Sequence, residues 1–109
     1  MSWFRRKKRA TSDRAAQKYD TTHLENFHAT RTGVEAYVEP RTTVTETTVV
    51  FIAHDGEWTR RRVDGAEAAF RLGNRLGIPV YEVAKVGYPQ RMRDYNARRR
   101  HARRGTVGD

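Results

Sequence analysis

The chain has no cysteine in its 109 residues. That excludes a disulfide framework, thiolate metal sites and a cysteine nucleophile, and it leans toward a reducing compartment. Serine occurs only at Ser2 and Ser12, and no glycine-rich phosphate-cradling loop is present, so two common carriers of catalysis are missing. Long hydrophobic runs are missing as well. The longest is Val49-Val50-Phe51-Ile52-Ala53, far short of a membrane span, and the basic start Met1-Ser2-Trp3-Phe4-Arg5-Arg6-Lys7-Lys8-Arg9 is followed by no apolar stretch of the kind a secretory signal carries. A cytoplasmic protein is the expectation. With 37% hydrophobic residues and a mean hydropathy of -0.91, one domain with a small core is the most the chain can build.

What is plentiful is positive charge. There are 22 basic side chains against 13 acidic ones, a formal net charge of +9. The excess sits at the two ends: Arg5, Arg6, Lys7, Lys8 and Arg9 at one, and Arg91, Arg93, Arg98, Arg99, Arg100, Arg103 and Arg104 at the other, around a middle that is nearly neutral. Guanidinium groups make forked, charge-assisted hydrogen bonds to phosphate oxygens, and release of condensed counterions drives such contacts without any reading of sequence. The charge distribution therefore points to a polyanionic partner, nucleic acid first.

Between the ends, apolar periodicity organises the chain. Residues 1–32 carry few apolar side chains (Tyr19, Leu24, Phe27) and read as a mobile basic arm. Val34, Ala36 and Val38 alternate with Glu35, Tyr37 and Glu39, the pattern of a half-buried strand closed by Pro40. A Thr-rich run leads into Val49–Ala53, expected to be the central strand. Asp55-Gly56 reads as a two-residue hairpin turn, which pairs Ala53 with Trp58, Phe51 with Arg60 and Val49 with Arg62. On that register Phe51, Trp58, Arg60 and Arg62 form one band able to stack bases and meet phosphates. The same residues also fit a plainer role, with the rings in the core and the arginines at an edge.

Asp64 with Glu67 resembles a capping box, and the Ala66, Ala69, Phe70, Leu72, Leu76 stripe makes an amphipathic helix closed by Gly77-Ile78-Pro79. Val80–Val86 reads as a strand lying beside Val49–Ala53 and parallel to the second hairpin strand. After Pro89, residues 90–104 form a basic helix docked by Tyr88, Met92 and Tyr95, with Asp94 set to pair with Arg98.

Other chemistry is poorly represented. His23, His28, His54 and His101 have no metal-ligand spacing, so neither metal nor cofactor is expected. His54 with Asp55 and Glu57 at the hairpin tip is the one acid–base grouping, in a position where a histidine is usually just solvated.

The segments Gly77-Ile78-Pro79-Val80-Tyr81-Glu82-Val83 and Gly87-Tyr88-Pro89-Gln90-Arg91-Met92-Arg93-Asp94-Tyr95-Asn96 resemble a stretch in a family of small, basic, uncharacterised actinobacterial proteins. The resemblance covers the chain from about Val44 onward. Some members carry an oxidoreductase label, for which this sequence offers no cofactor fingerprint; the resemblance implies a folded module.

These readings predict an α+β protein. Residues 33–97 form a small domain with a three- to four-stranded, mainly antiparallel sheet, a ββαβ core and one covering helix; residues 98–109 form a basic helical extension and tail. The function expected is non-catalytic binding of nucleic acid, in the form of structured RNA or a ribonucleoprotein, whose phosphates the arginine-rich arms contact. A peripheral contact with anionic membrane through Trp3 and Phe4 and a protein-interaction adaptor are the alternatives.

Overall fold

The computed structural model describes the backbone of residues 2–108, with side chains described over 15–104. Its elements are α1 (Ser2–Thr30), β1 (Glu35–Glu39), β2 (Thr48–Ile52), β3 (Trp58–Arg62), α2 (Gly65–Leu76), β4 (Val80–Glu82), the single turn α3 (Val83–Val86) and α4 (Gln90–Gly108). The fold is α+β, around an open four-stranded mixed sheet of order β3-β2-β1-β4.

The apolar run supplies β2 because Val49, Val50, Phe51 and Ile52 all lose essentially their whole surface, which only a strand covered on both faces can do. Alternation then divides the core. Val49 and Phe51 join Leu24, Phe27, Val34, Ala36, Val38, Ala69 and Leu72 beneath α1 and α2, whereas Val50 and Ile52 join Tyr37 and Met92 beneath α4.

The covering helix is thus two helices. α1 lies over β2 and β3, where Leu24 is fully buried and Phe27 retains 4% of its exposure. The expected boundary at residue 33 is corrected by those two side chains: the last part of the segment read as a mobile arm is anchored in the core. Two apolar residues at i,i+3 spacing suffice because the sheet presents Val49 and Phe51 to receive them. Helix α2 begins at Asp64, which makes no side-chain capping bond, so the expected capping box does not form. Its other end is as read: Gly77 is left-handed, Gly77 N–H donates to Asn74 O at 3.2 Å and Ile78 N–H to Gly73 O at 3.0 Å, the paired closure of a Schellman motif.

Three further expectations are corrected. β4 runs parallel to β3, but it pairs with β1 and not with β2, because β1 and β2 form an antiparallel pair and β1 occupies that side of the central strand. The core is therefore βββαβ and the sheet is mixed. The strand expected over Val80–Val86 stops at Glu82; the chain then turns through α3, which puts Val83 against the α4-side core and lets Lys85 pair with Glu82 at 2.8 Å.

The hairpin register differs too. β2 and β3 pair Ile52 with Trp58, Phe51 with Thr59 and Val50 with Arg60, one residue away from the two-residue-loop expectation. The loop holds three residues, His54-Asp55-Gly56. Gly56 N–H donates to Ala53 O at 3.0 Å, Ala53 N–H to Glu57 O at 2.8 Å, and Gly56 has φ 93°. This is a turn followed by a left-handed glycine, in which Asp55 Oδ1 accepts from Glu57 N–H.

Candidate nucleic-acid interface

The register decides what the α4 side of the sheet offers. Trp58 and Arg60 share the face of Val50 and Ile52, where α4 lies, while Phe51 points the other way and is wholly buried under α1 and α2. A band of Phe51, Trp58, Arg60 and Arg62 does not exist: a slip of one residue moves a side chain to the opposite face. Arg62, at the end of β3, lies along the groove between α1 and α2, 3.8 Å from Asp20.

Pro89 precedes α4, and the helix meets the sheet along one stripe. Met92 is buried against Tyr37, Val50 and Ile52. Positions Asn96, Arg99 and Arg103 follow at helical spacings of four, three and four, with Tyr95 beside them. The stripe changes from apolar to cationic beside Trp58, where β3 begins. There Trp58, Tyr95, Asn96, Arg99, Arg100 and Arg103 line an open concavity of about 490 Å³.

Within it the aromatic groups are fixed by polar contacts. Trp58 Nε1–H donates to Asn96 Oδ1 at 2.8 Å, and Arg60 lies over the indole with its guanidinium carbon 5.1 Å from the ring centroid. Arg99 donates to the Tyr95 hydroxyl at 3.1 Å, and Arg98 and Arg99 both lie within 6 Å of the Tyr95 ring centroid, at 5.9 and 5.8 Å. No carboxylate lines this concavity. The grooves elsewhere each include one, Asp64 between α1 and α2, Glu57 beside His23, and Glu46 with Asp64 near Arg41.

Comparison with family models, with curated proteins and with solved structures gave no match. Among the described residues no group of three His, Asp or Glu side chains forms a metal site, and no helix is long and apolar enough to cross a membrane.

The arginines singled out in the sequence fall into two sets. Arg60 and Arg91 are engaged within the fold. Arg60 makes two hydrogen bonds to Glu39, which also accepts from Thr48 at 2.7 Å and from the Tyr88 hydroxyl. Burial pushes the Glu39 carboxyl up, but the bonds from Arg60, Tyr88 and Thr48 together outweigh it and hold the group below its ordinary value. Tyr88 moves upward, through burial first and then its bond to Glu39. Arg91 clamps α4 to the sheet, donating from Nε to Ala53 O at 3.0 Å and from Nη2 to Glu35 Oε1 at 2.5 Å.

The second set points outward. Arg93 donates to Tyr88 O and Gln90 Oε1, and Arg98 to Asp55 O; Asp94 accepts from Gln90 Nε2, so the expected Asp94–Arg98 pair is not made. Arg98, Arg99, Arg100, Arg103 and Arg104 are exposed, and none pairs with a carboxylate among the described residues. Trp3, Phe4, Arg5, Arg6, Lys7, Lys8 and Arg9 have side chains outside the described residues. At the hairpin tip Glu57 is held by Arg31 at 2.7 Å and Asp55 serves the turn, so the acid–base grouping with His54 is committed to structure.

Asn96 and Glu39 escaped the sequence reading. A signal for each existed: Asn96 stands four residues after the docking residue Met92, and Glu39 ends an alternating strand whose neighbour on the same face, Tyr37, is buried.

Proposed function

We propose that this chain is a non-catalytic, cytoplasmic RNA-binding protein, which holds phosphates with the arginines of α4 and receives RNA at the concavity between β3 and α4. The observation that carries the reading is the convergence of Arg99, Arg100 and Arg103 on Trp58 and Tyr95 with no carboxylate among the lining side chains. Cations beside half-buried aromatic rings are what a phosphate backbone and its bases need. Carboxylates elsewhere take up Arg31, Arg60, Arg75 and Arg91, so among the described residues the cations left for a partner are concentrated on α4.

Binding of mixed-sequence RNA oligomers across a salt series tests it. Five phosphate contacts, from Arg98, Arg99, Arg100, Arg103 and Arg104, give a log–log slope of roughly -3 to -4 on single strands. Changing Arg100, Arg103 and Arg104 together to Ala makes the slope shallower by about 2 at unchanged melting temperature. An unchanged affinity and slope would reject the reading. Retention on anionic vesicles, lost when residues 1–10 are removed, together with no retention of RNA, would favour the membrane alternative through Trp3 and Phe4.

A further inference from the structure

Trp58 belongs to the walls of two concavities. One is the cationic hollow beside α4. The other, of about 330 Å³, lies where α1 passes the sheet, with His23, Asn26 and Phe27 on the helix side and Trp58 and Thr59 on the strand side. Because β3 is a border strand and Trp58 is its first residue, the two hollows adjoin at that border. Their chemistries differ. Arg99, Arg100 and Arg103 make the first a place for anions, whereas in the second the charges cancel. Glu57 accepts from Arg31 Nε at 3.2 Å and from Arg31 Nη2 at 2.7 Å, and Arg31 Nη1 donates to Thr30 Oγ1 at 2.7 Å. Burial, then the charge of Arg61, holds His23 below its ordinary 6.5 and so neutral at pH 7. What this wall offers a ligand is uncharged: the exposed Asn26 amide, and the Thr59 hydroxyl that His23 Nε2 meets at 2.8 Å.

We propose that a single-stranded RNA segment crosses the border of the sheet at Trp58, with its phosphates on the arginines of the first concavity and an unpaired base in the second, against Asn26 and Thr59. The inference rests on the RNA-binding reading and deepens it by naming the strandedness of the partner. A cationic hollow beside a neutral, polar one matches the alternation within a nucleotide, an anionic backbone next to an uncharged base with donors and acceptors on its edge. Base identity is left open by the same chemistry: an amide and a hydroxyl can each donate and accept, so every base edge finds partners there. Strandedness is not left open. A paired base stands inside the stack with its edge engaged, so a duplex can lie along α4 by its phosphates without filling the second concavity.

The test titrates the full chain with a mixed-sequence single strand and with a fully paired RNA of the same length, each across a salt series. Asn26→Ala removes a neutral contact and no charge, at an exposed helical position where the melting temperature should hold. It is expected to weaken single-strand binding roughly threefold to tenfold, with the salt slope unchanged and the affinity for paired RNA unchanged. Thr59→Val, which removes the hydroxyl and keeps a β-branched side chain on the strand, is expected to act in the same direction. Arg100→Ala should instead weaken both RNAs and make both slopes shallower. Single-strand binding untouched by Asn26→Ala and by Thr59→Val, or paired RNA weakened by them as much as the single strand, would overturn the crossing while RNA binding by α4 stood. A chain that binds neither RNA at low salt removes both the crossing and the RNA-binding reading.

Discussion

Arg60 and Glu39 meet across the central strand, one on β3 and the other on β1, joined by hydrogen bonds from Nε to Oε1 at 2.6 Å and from Nη2 to Oε2 at 2.9 Å. The pair closes over Val50 and Thr48, and Tyr88 at the approach to α4 adds its hydroxyl to the same carboxylate. It ties both antiparallel neighbours of β2 to the segment that launches the basic helix. Glu39→Gln removes the charge on which three donors converge, and is expected to cost about 1–2 kcal/mol, given that Arg60 remains half open to water. Urea unfolding of the variant beside the parent chain measures it.

Acid should unfold the protein in two separable stages. Burial, then Arg61, depresses His23 from its ordinary 6.5, and Glu39 lies below its ordinary 4.5. A group depressed in the fold contributes stability that is complete above its unfolded value and is lost as pH falls from there through the folded value. Stability should therefore begin to decline below pH 6.5 through His23, which hydrogen-bonds Thr59 at 2.8 Å, and decline further below 4.5 through Glu39. Melting temperatures measured from neutral pH downward should lose the upper stage in His23→Gln and the lower one in Glu39→Gln.

Arg91 and Arg100 lie on the same helix and should behave in opposite ways. Arg91→Ala strips partners from Glu35 and from the Ala53 carbonyl, and is expected to destabilise by about 1–3 kcal/mol. Arg100 makes no hydrogen bond or ion pair among the described residues, so Arg100→Ala should leave stability within about 0.5 kcal/mol, while it weakens RNA binding. Parallel denaturation and binding curves for the two variants provide the check.

Two glycines separate a steric requirement from a conformational one. A Cβ on Gly56 would fall 2.0 Å from Arg91 O, at a backbone with φ 93°; at Gly87, φ 72°, it would meet nothing within 4 Å. Gly56→Ala must push α4 off the hairpin and is expected to cost about 3 kcal/mol or more, against about 1 kcal/mol for Gly87→Ala. A loosened α4 would also appear as a raised emission maximum of Trp58.

Leu24→Ala tests how firmly α1 belongs to the domain. A fully buried leucine over the sheet is expected to cost about 2–5 kcal/mol, whereas a detached arm would give no change in the denaturation midpoint.

How far the residues revealed this arrangement depended on whether a pattern had a single solution. Helix α2 was readable in its span and its C-terminal closure, because its stripe and Gly77 agree on one phase, although the Asp64 cap does not form. The docking of α4 by Tyr88 and Met92 was readable for the same reason. The hairpin register was not. Gly56 serves a two-residue loop and a three-residue loop equally well, and β2 is apolar at every position from Val49 to Ile52, so burial of either face satisfied it. β3 could not arbitrate, since Trp58-Thr59-Arg60-Arg61-Arg62 alternates no apolar residues. The candidate site inherited that ambiguity: Trp58 was found, Phe51 was misplaced beside it, and Asn96 was invisible until the indole had a known face. The anchoring of α1 rested on only two apolar side chains, whose receiving surface is assembled from strands distant in sequence.

An open sheet has two borders, and both of these are poor templates for another copy of the chain. At one, β4 offers a ladder of only three residues before α3 curls the backbone away. At the other, β3 carries Arg60, Arg61 and Arg62 in succession, so a second β3 laid antiparallel against it would bring like charges face to face. Despite a central strand as apolar as Val49–Ile52, the protein is thereby protected from edge-to-edge polymerisation.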